Sequence, residues 1–221
     1  MESKKSMLVV MILGAAAVNV FVSAADPDPL RDFEGSEDLS NFVLRDVFKN
    51  GVVSNGPGGV RAAINTTLFP GITSQGITYV HFNSVPCGVN LPHMHPRASE
   101  LLTMISGGPL QVGFVDTAGV PRINLLNPGD ITIFPRGMMH FEINVGTKPA
   151  FYISALNSQN PGTLKSGGAL LMIPDRSVAT ALNVGLDMIQ KLKANMLLYS
   201  FRLKLAPPAV CVPGQNITTK I

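Results

Sequence analysis

The 221-residue sequence has no tryptophan, only two cysteines and few charges, with Asp, Glu, Lys and Arg making up 14% of its residues against roughly 25% in an average soluble domain. Each shortage narrows the reading. Sparse charge beside 46% hydrophobic residues excludes a chain dominated by disorder, which needs high charge and little apolar surface. The formal excess is only +3, for all that the pI is near 9.0. No run of Lys or Arg gathers that excess into a stripe, so a nucleic-acid partner is not expected. Internal repeats and low-complexity tracts are absent, and so is any long apolar run after the first 25 residues. The two cysteines, Cys87 and Cys211, allow one disulfide in an oxidising compartment. Whether they pair depends on a Cα separation below about 7 Å, which sequence does not reveal.

What is abundant is glycine and proline, at 21 and 17 residues. Many turns and short elements follow, within a length that suits one domain of about 200 residues or two small ones.

The first segment is an address. Lys4 and Lys5 precede the apolar residues 7–22, and Ser23, Ala24 and Ala25 follow. That order predicts a secretory signal peptide over 1–24, cleaved after Ala24 or one residue later. The alternative, a membrane anchor, needs about 20 apolar residues, and Asn19 interrupts a shorter run. The mature protein is expected to be extracellular, with no membrane partner. Asn65-Thr66-Thr67 and Asn216-Ile217-Thr218 are sequons, making Asn65 and Asn216 candidate glycosylation sites.

Residues 25–55 read as an N-terminal arm and loop. Within and just beyond them, 26–40 are acidic and Pro-bearing, and 50–60, with Asn50-Gly51 and Asn55-Gly56-Pro57-Gly58-Gly59, carry a loop signal. Over 56–174, short β-like runs such as 77–82, 101–105, 110–115, 131–134 and 150–156 end at Gly/Pro turns about every ten residues. That pattern predicts an all-β sandwich or barrel. At 175–197 the periodicity becomes helical. Asp175 is a candidate N-cap, and Val178, Leu182, Leu186, Ile189, Leu192 and Met196 recur at helical spacing. Two short helices are expected there, their apolar face serving the core or another subunit. Residues 198–221 form a tail with no clear pattern.

Three of the four histidines fall in two motifs. The first runs Gly88-Val89-Asn90-Leu91-Pro92-His93-Met94-His95-Pro96-Arg97-Ala98-Ser99-Glu100, and the second Gly129-Asp130, then Pro135-Arg136-Gly137-Met138-Met139-His140-Phe141-Glu142. His93 and His95 are two apart, so extended backbone turns both imidazoles the same way. Glu100 returns a carboxylate if the chain turns at 96–99, and His140 joins from an adjacent strand. Three imidazoles and a carboxylate suit a divalent transition metal, whose binding removes the cost of burying them. His93, His95, Glu100 and His140 are therefore the candidate metal ligands. His81 reads as a non-ligand. Met138 and Met139 read as barrel lining.

These motifs resemble those of the cupin superfamily, and more narrowly of plant germins and germin-like proteins. Asp26-Pro27-Asp28-Pro29-Leu30, Phe134-Pro135-Arg136-Gly137 and Asn157-Ser158-Gln159-Asn160-Pro161-Gly162 extend the resemblance over roughly residues 1–196. It implies a β-jelly-roll barrel with a C-terminal helical extension and manganese held by the four candidate ligands. It also implies a homo-oligomer, a hexamer built as a trimer of dimers, in the apoplast or cell wall. The activity it implies is superoxide dismutation, with a role in defence or stress. Oxalate oxidation, or a non-enzymatic wall-associated, storage or binding role, is the alternative. Asn90 matches a position that contacts substrate in oxalate-oxidising germins, though Asn before Leu-Pro equally suits a turn. A second asparagine of those enzymes is replaced here by Val80. The N-terminal disulfide usual in germins has no counterpart, since no cysteine lies between residues 26 and 86. If the carboxylate role belongs to Glu100, Glu142 must be turned away from His140 despite the matching strand parity, for instance by an irregularity at Phe141.

Overall fold

The computed structural model describes residue 26, residues 31–34, 37–196 and 202–215. The expected signal segment and Asn216 lie outside the described residues. Among the described residues no helix is long and apolar enough to cross a membrane.

Residues 37–51 are irregular chain apart from a 3₁₀ turn at Leu39–Phe42 and one helical turn, α1 (Val47–Asn50). Residues 50–60, expected as a loop, instead form most of a hairpin. β1 (Val52–Gly56) and β2 (Gly59–Ala63) pair antiparallel from Gly56↔Gly59 outward. Pro57-Gly58 makes the two-residue turn, so the Gly/Pro cluster marks the hairpin's tip rather than a break.

β3 (Thr78–Ser84), β4 (Gly88–Met94), β6 (Pro121–Leu126) and β7 (Ile131–Phe134) are short; β5 (Glu100–Val115) and β8 (Met139–Leu156) are long. The long pair closes the barrel. The first part of β8 lies between β4 and the second part of β5, and its last part lies between β3 and the start of β5. Both strands thus belong to two layers and must bend together. The bend falls at Gly107, Gly108 and Gly146, where backbones touch. A Cβ on Gly146 would stand 1.8 Å from the Gly108 carbonyl oxygen, and one on Gly107, at φ +77°, 1.7 Å from that of Pro149. No other residue fits that approach. The core between the layers holds Leu102, Met104, Leu110, Val112, Phe134 and Tyr152, all buried, with the Phe82 and Tyr152 rings stacked 4.6 Å apart. Full burial of such side chains is worth about 1.5–3 kcal/mol each.

After β9 (Leu164–Lys165) come three helices, α2 (Ser166–Met172), α3 (Asp175–Leu182) and α4 (Leu186–Asn195), where two were expected. The first opens on Ser-Gly-Gly, a poor helical sequence, and is held by Leu171 packing against Val178 and Ile189. Asp175 is not the cap: Pro174 occupies that position, and the Asp175 carboxylate takes the Lys193 ammonium instead. Of the helical apolar series, Val178 and Ile189 are buried, while Leu182, Leu186 and Leu192 are exposed. The tail is tied to the barrel. β10 (Lys204–Leu205) pairs with Val89 and Gly88 of β4, Leu203 joins the core, and Cys211 is bonded to Cys87 with Cα atoms 5.7 Å apart.

Candidate metal centre

The two motifs meet at one end of the barrel. His93, next to last in β4, stands directly opposite His140 of β8. His95 follows β4, the chain turns over 96–99, and Glu100 opens β5. The second motif is fastened to the first by the Gly137 N–H, which donates to the His95 carbonyl at 3.0 Å. The Phe134 ring lies flat against His140, 4.4 Å between centroids.

All four candidate ligands are buried, and one ligand atom from each lies within 4.8 Å of the others. Glu100 Oε2 is 3.0 Å from His95 Nε2 and 3.4 Å from His140 Nε2. A cation about 2.1 Å from each donor fits that spacing. The tautomers agree. His93 Nδ1 is 2.8 Å from the Leu91 carbonyl, His140 Nδ1 is 2.8 Å from that of Met138, and His95 Nδ1 meets that of Gly162. A carbonyl only accepts, so each Nδ1 carries the proton and each Nε2 turns its lone pair inward. His140 Nε2 is buried with no hydrogen-bond partner, as expected of an atom reserved for a metal.

The electrostatics favour a neutral His93 imidazole beside an ionised Glu100. Burial first, then the charge of His140, lowers the His93 pKa to about 3. Burial opposes ionisation of Glu100, but the imidazoles of His140 and His95 facing it outweigh that and hold its pKa well below the carboxylate range. These side chains therefore suit a cation.

Glu142 is not turned away. β8 pairs with β5 without interruption from His140 to Asn144, so Glu142 shares the inward face of His140 and is wholly buried. The irregularity lies on the partner strand, where the register shifts between Asn90 and His93. Burial, then the charge of Glu100, pushes the Glu142 carboxyl well above its ordinary value, making it a neutral acid beside the metal group. The same parity puts Met139 on the outer face, exposed, rather than in the barrel lining. His81 stands on the outer face of β3 among Phe48, Tyr79 and Phe151, away from the group.

A cavity of about 150 Å³ opens over His93, His95 and Glu100 and is lined also by Asn90, Val80, Phe82, Arg61 and Lys165. Asn90 pairs with Glu142 across β4 and β8 and so reaches the cavity from the metal side. Asn65 lies on the turn after β2, where its side-chain oxygen accepts from the Leu68 N–H at 2.8 Å. Sequence reading passed over Arg61, although it is the only Asp, Glu, Lys or Arg between Lys49 and Arg97.

Residues 46–190 match the Cupin family model. The chain is 36% identical over 159 residues to germin-like protein 1-3 of Oryza sativa subsp. japonica, covering 70% of this chain and 71% of that one. It is 32% identical over 201 residues to germin-like protein subfamily 2 member 4 of Arabidopsis thaliana, covering 80% and 91%. Among solved structures it is similar to an oxalate oxidase, with TM-score 0.70 and 27% identity over 78% of this chain and 98% of that one.

Proposed function

The chain belongs to the germin-like proteins of the cupin family, and from that membership we propose that it is a secreted manganese protein of the plant apoplast or cell wall that dismutates superoxide in defence or stress. The carrying observation is the buried group of three inward Nε2 atoms and one carboxylate, three of whose residues line a cavity. His93, His95, Glu100 and His140 are its ligands. Bound there, manganese supplies one-electron chemistry between two oxidation states. Dismutation takes two superoxide ions and two protons to dioxygen and hydrogen peroxide, one superoxide being oxidised and the other reduced. The chain's own residues orient the donors through the Leu91, Met138 and Gly162 carbonyls and admit only a small reactant. Val80 gives the cavity wall an apolar surface at the position where the resemblance implies an asparagine in oxalate-oxidising relatives, which favours superoxide over oxalate.

The Cys87–Cys211 bond supports an oxidising compartment, and the surface turn at Asn65 suits glycosylation. The exposed Leu182, Leu186 and Leu192 support assembly into a homo-oligomer, a hexamer in this reading. Elemental analysis of secreted protein, with superoxide and oxalate assays on the same sample, tests the proposal. The expected result is about one manganese per chain, superoxide consumption abolished by chelation, and no turnover of oxalate. Native material without a transition metal, or with metal and no superoxide activity, overturns it.

A further inference from the structure

The outer face of the sheet carries a second hollow, with chemistry unlike that of the barrel. Strand alternation turns Val80 and Phe82 of β3 inward, where they are buried, and Tyr79 and His81 outward. Phe151 of β8 joins them, paired opposite Asn83, and Phe48 of α1 packs against the same group. The Phe48 ring centroid is 5.7 Å from that of His81 and 6.3 Å from that of Phe151. Tyr79 and Phe151 stand 5.0 Å and 5.6 Å from His81. The planes of these pairs cross at 49–77°, so none of the four rings lies flat on another. Together with Phe69 and the aliphatic Leu44, Val47, Ile64 and Ile77 they line an open groove of about 680 Å³, within the size range of small-molecule sites.

Asp46 is the one Asp, Glu, Lys or Arg in the lining. It directly precedes α1 but does not cap it: its backbone is left-handed, with φ +51°, and its side chain makes no hydrogen bond to the helix. Arg45 faces a neighbouring hollow beside Leu39 and Val43 instead. Burial lowers the His81 pKa, so at neutral pH the imidazole is uncharged and brings no positive charge to the groove. The groove therefore combines a carboxylate with several aromatic rings, whose faces are the negative part of their quadrupole. Charge complementarity selects a cation. A primary ammonium has three N–H groups to satisfy, and beyond Asp46 the lining side chains offer acceptors only at Tyr79 and His81. A quaternary ammonium has no N–H group. Its methyl groups carry the positive charge and suit aromatic faces and aliphatic walls alike.

We propose that this groove binds a small quaternary ammonium cation, its methyl groups against Phe48, Tyr79 and Phe151 and its charge balanced by Asp46. The aliphatic side chains of Leu44, Val47, Ile64 and Ile77 receive the rest of the ligand and shield the cation from water, which strengthens its attraction to the rings. A zwitterion carrying its own carboxylate is disfavoured by Asp46. The site shares no side chain with the metal group and lies on the opposite face of β3 and β8, so it goes beyond the redox reading, which concerns the barrel interior.

The test is calorimetric titration of the full-length secreted protein with choline and with dimethylbutanol, the uncharged analogue of the same shape in which carbon replaces the nitrogen, alongside D46N, F48L and Y79F. Choline is expected to saturate wild type, and dimethylbutanol to bind about tenfold more weakly or not at all, because it lacks the charge that the rings and Asp46 recognise. D46N should weaken choline about two- to fivefold, the effect of removing one partly solvated counter-charge. F48L keeps the apolar bulk but removes a ring, and should weaken choline about three- to tenfold. Y79F keeps its ring and should bind choline as wild type does. The melting temperature and manganese content of D46N should match wild type, since Asp46 is exposed and belongs to no ligand set, so this variant reads the site without a folding defect. Equal affinity for choline and dimethylbutanol overturns the proposal, as does choline binding that D46N and F48L both leave unchanged. Wild type that fails to bind choline, with F48L lowering the mass seen by light scattering, identifies the groove as a contact between copies of the chain and equally overturns it.

Discussion

His140 and Glu142 face the same side of β8, two residues apart on an unbroken run of pairing with Phe114 and Val112 of β5. Two buried carboxyl groups therefore flank the imidazoles, and their environments separate them. Glu100 is held ionised by contacts with two histidines, whereas Glu142 is held neutral by burial and by the charge of Glu100. Replacing Glu100 with Gln is expected to leave three neutral ligands and strip the metal on dialysis against a chelator. Replacing Glu142 with Gln exchanges a neutral acid for an amide of the same shape. Its effect should be no larger than that of other groups supporting a ligand, at most about 10–100-fold in affinity. Metal analysis after dialysis decides between them. Loss in the Glu142 variant with retention in the Glu100 variant reverses the ligand assignment.

The metal group was legible in the sequence because its information is local. His93 and His95 share a face by strand parity, and the spacing to Glu100 needs only one turn. Parity also places Glu142 beside His140; the irregularity expected at Phe141 lies instead between Asn90 and His93 on β4. Long-range features were not legible. The pairing of Cys87 with Cys211 spans 124 residues, and the docking of β10 depends on a strand more than a hundred residues earlier. Arg61 stayed hidden for another reason. Val60-Arg61-Ala62-Ala63 has no clean alternation of polar and apolar residues, so nothing in β2 announces which side faces inward.

The disulfide gives the next expected outcome. It fastens a tail whose described residues are also held by the two residues of β10, the buried Leu203, Ala206 and several backbone hydrogen bonds. Chain-entropy arguments put a closure of this length near 5 kcal/mol, with 2–5 kcal/mol typical when a native bridge is lost. Paired Cys87→Ala and Cys211→Ala substitutions should lower the melting temperature by several degrees or more and make it insensitive to reductant. A wild-type melting temperature unchanged by full reduction would show that the bridge contributes nothing.

The helices carry the test of assembly. Leu182, Leu186 and Leu192 are 45%, 48% and 39% exposed, although they continue the same periodic series as the buried Val178 and Ile189. A monomer gains nothing from three leucines in water, whereas a subunit contact buries them. Light scattering of the secreted protein at micromolar concentration is expected to give a multiple of the chain mass. A Leu186→Glu, Leu192→Glu double variant should reduce that mass while leaving the barrel's melting transition in place, since both side chains are outside the core. A monomeric wild type removes the oligomer from the account.

Asp26 is distant in sequence from the metal ligands yet is connected to one of them. Its carboxylate accepts the Ser158 hydroxyl at 2.9 Å and the Gln159 N–H at 2.6 Å. Ser158 in turn receives the Asn160 N–H at 3.0 Å, and Asn160 is gripped by the Arg97 guanidinium through its backbone and side-chain oxygens. Two residues on, the Gly162 carbonyl accepts from His95 Nδ1, the bond that aims His95 Nε2 into the group. Asp26→Ala removes the two acceptors that fix the start of this loop. The expected consequence is a loosened His95 and manganese affinity lower by about tenfold, the lower end of the effect of such supporting groups. The barrel core, which Asp26 does not touch, should melt nearly as before. Asp26→Asn keeps one carbonyl acceptor and should recover part of the affinity. A manganese titration in which both variants bind as wild type would show that the loop holds His95 without Asp26.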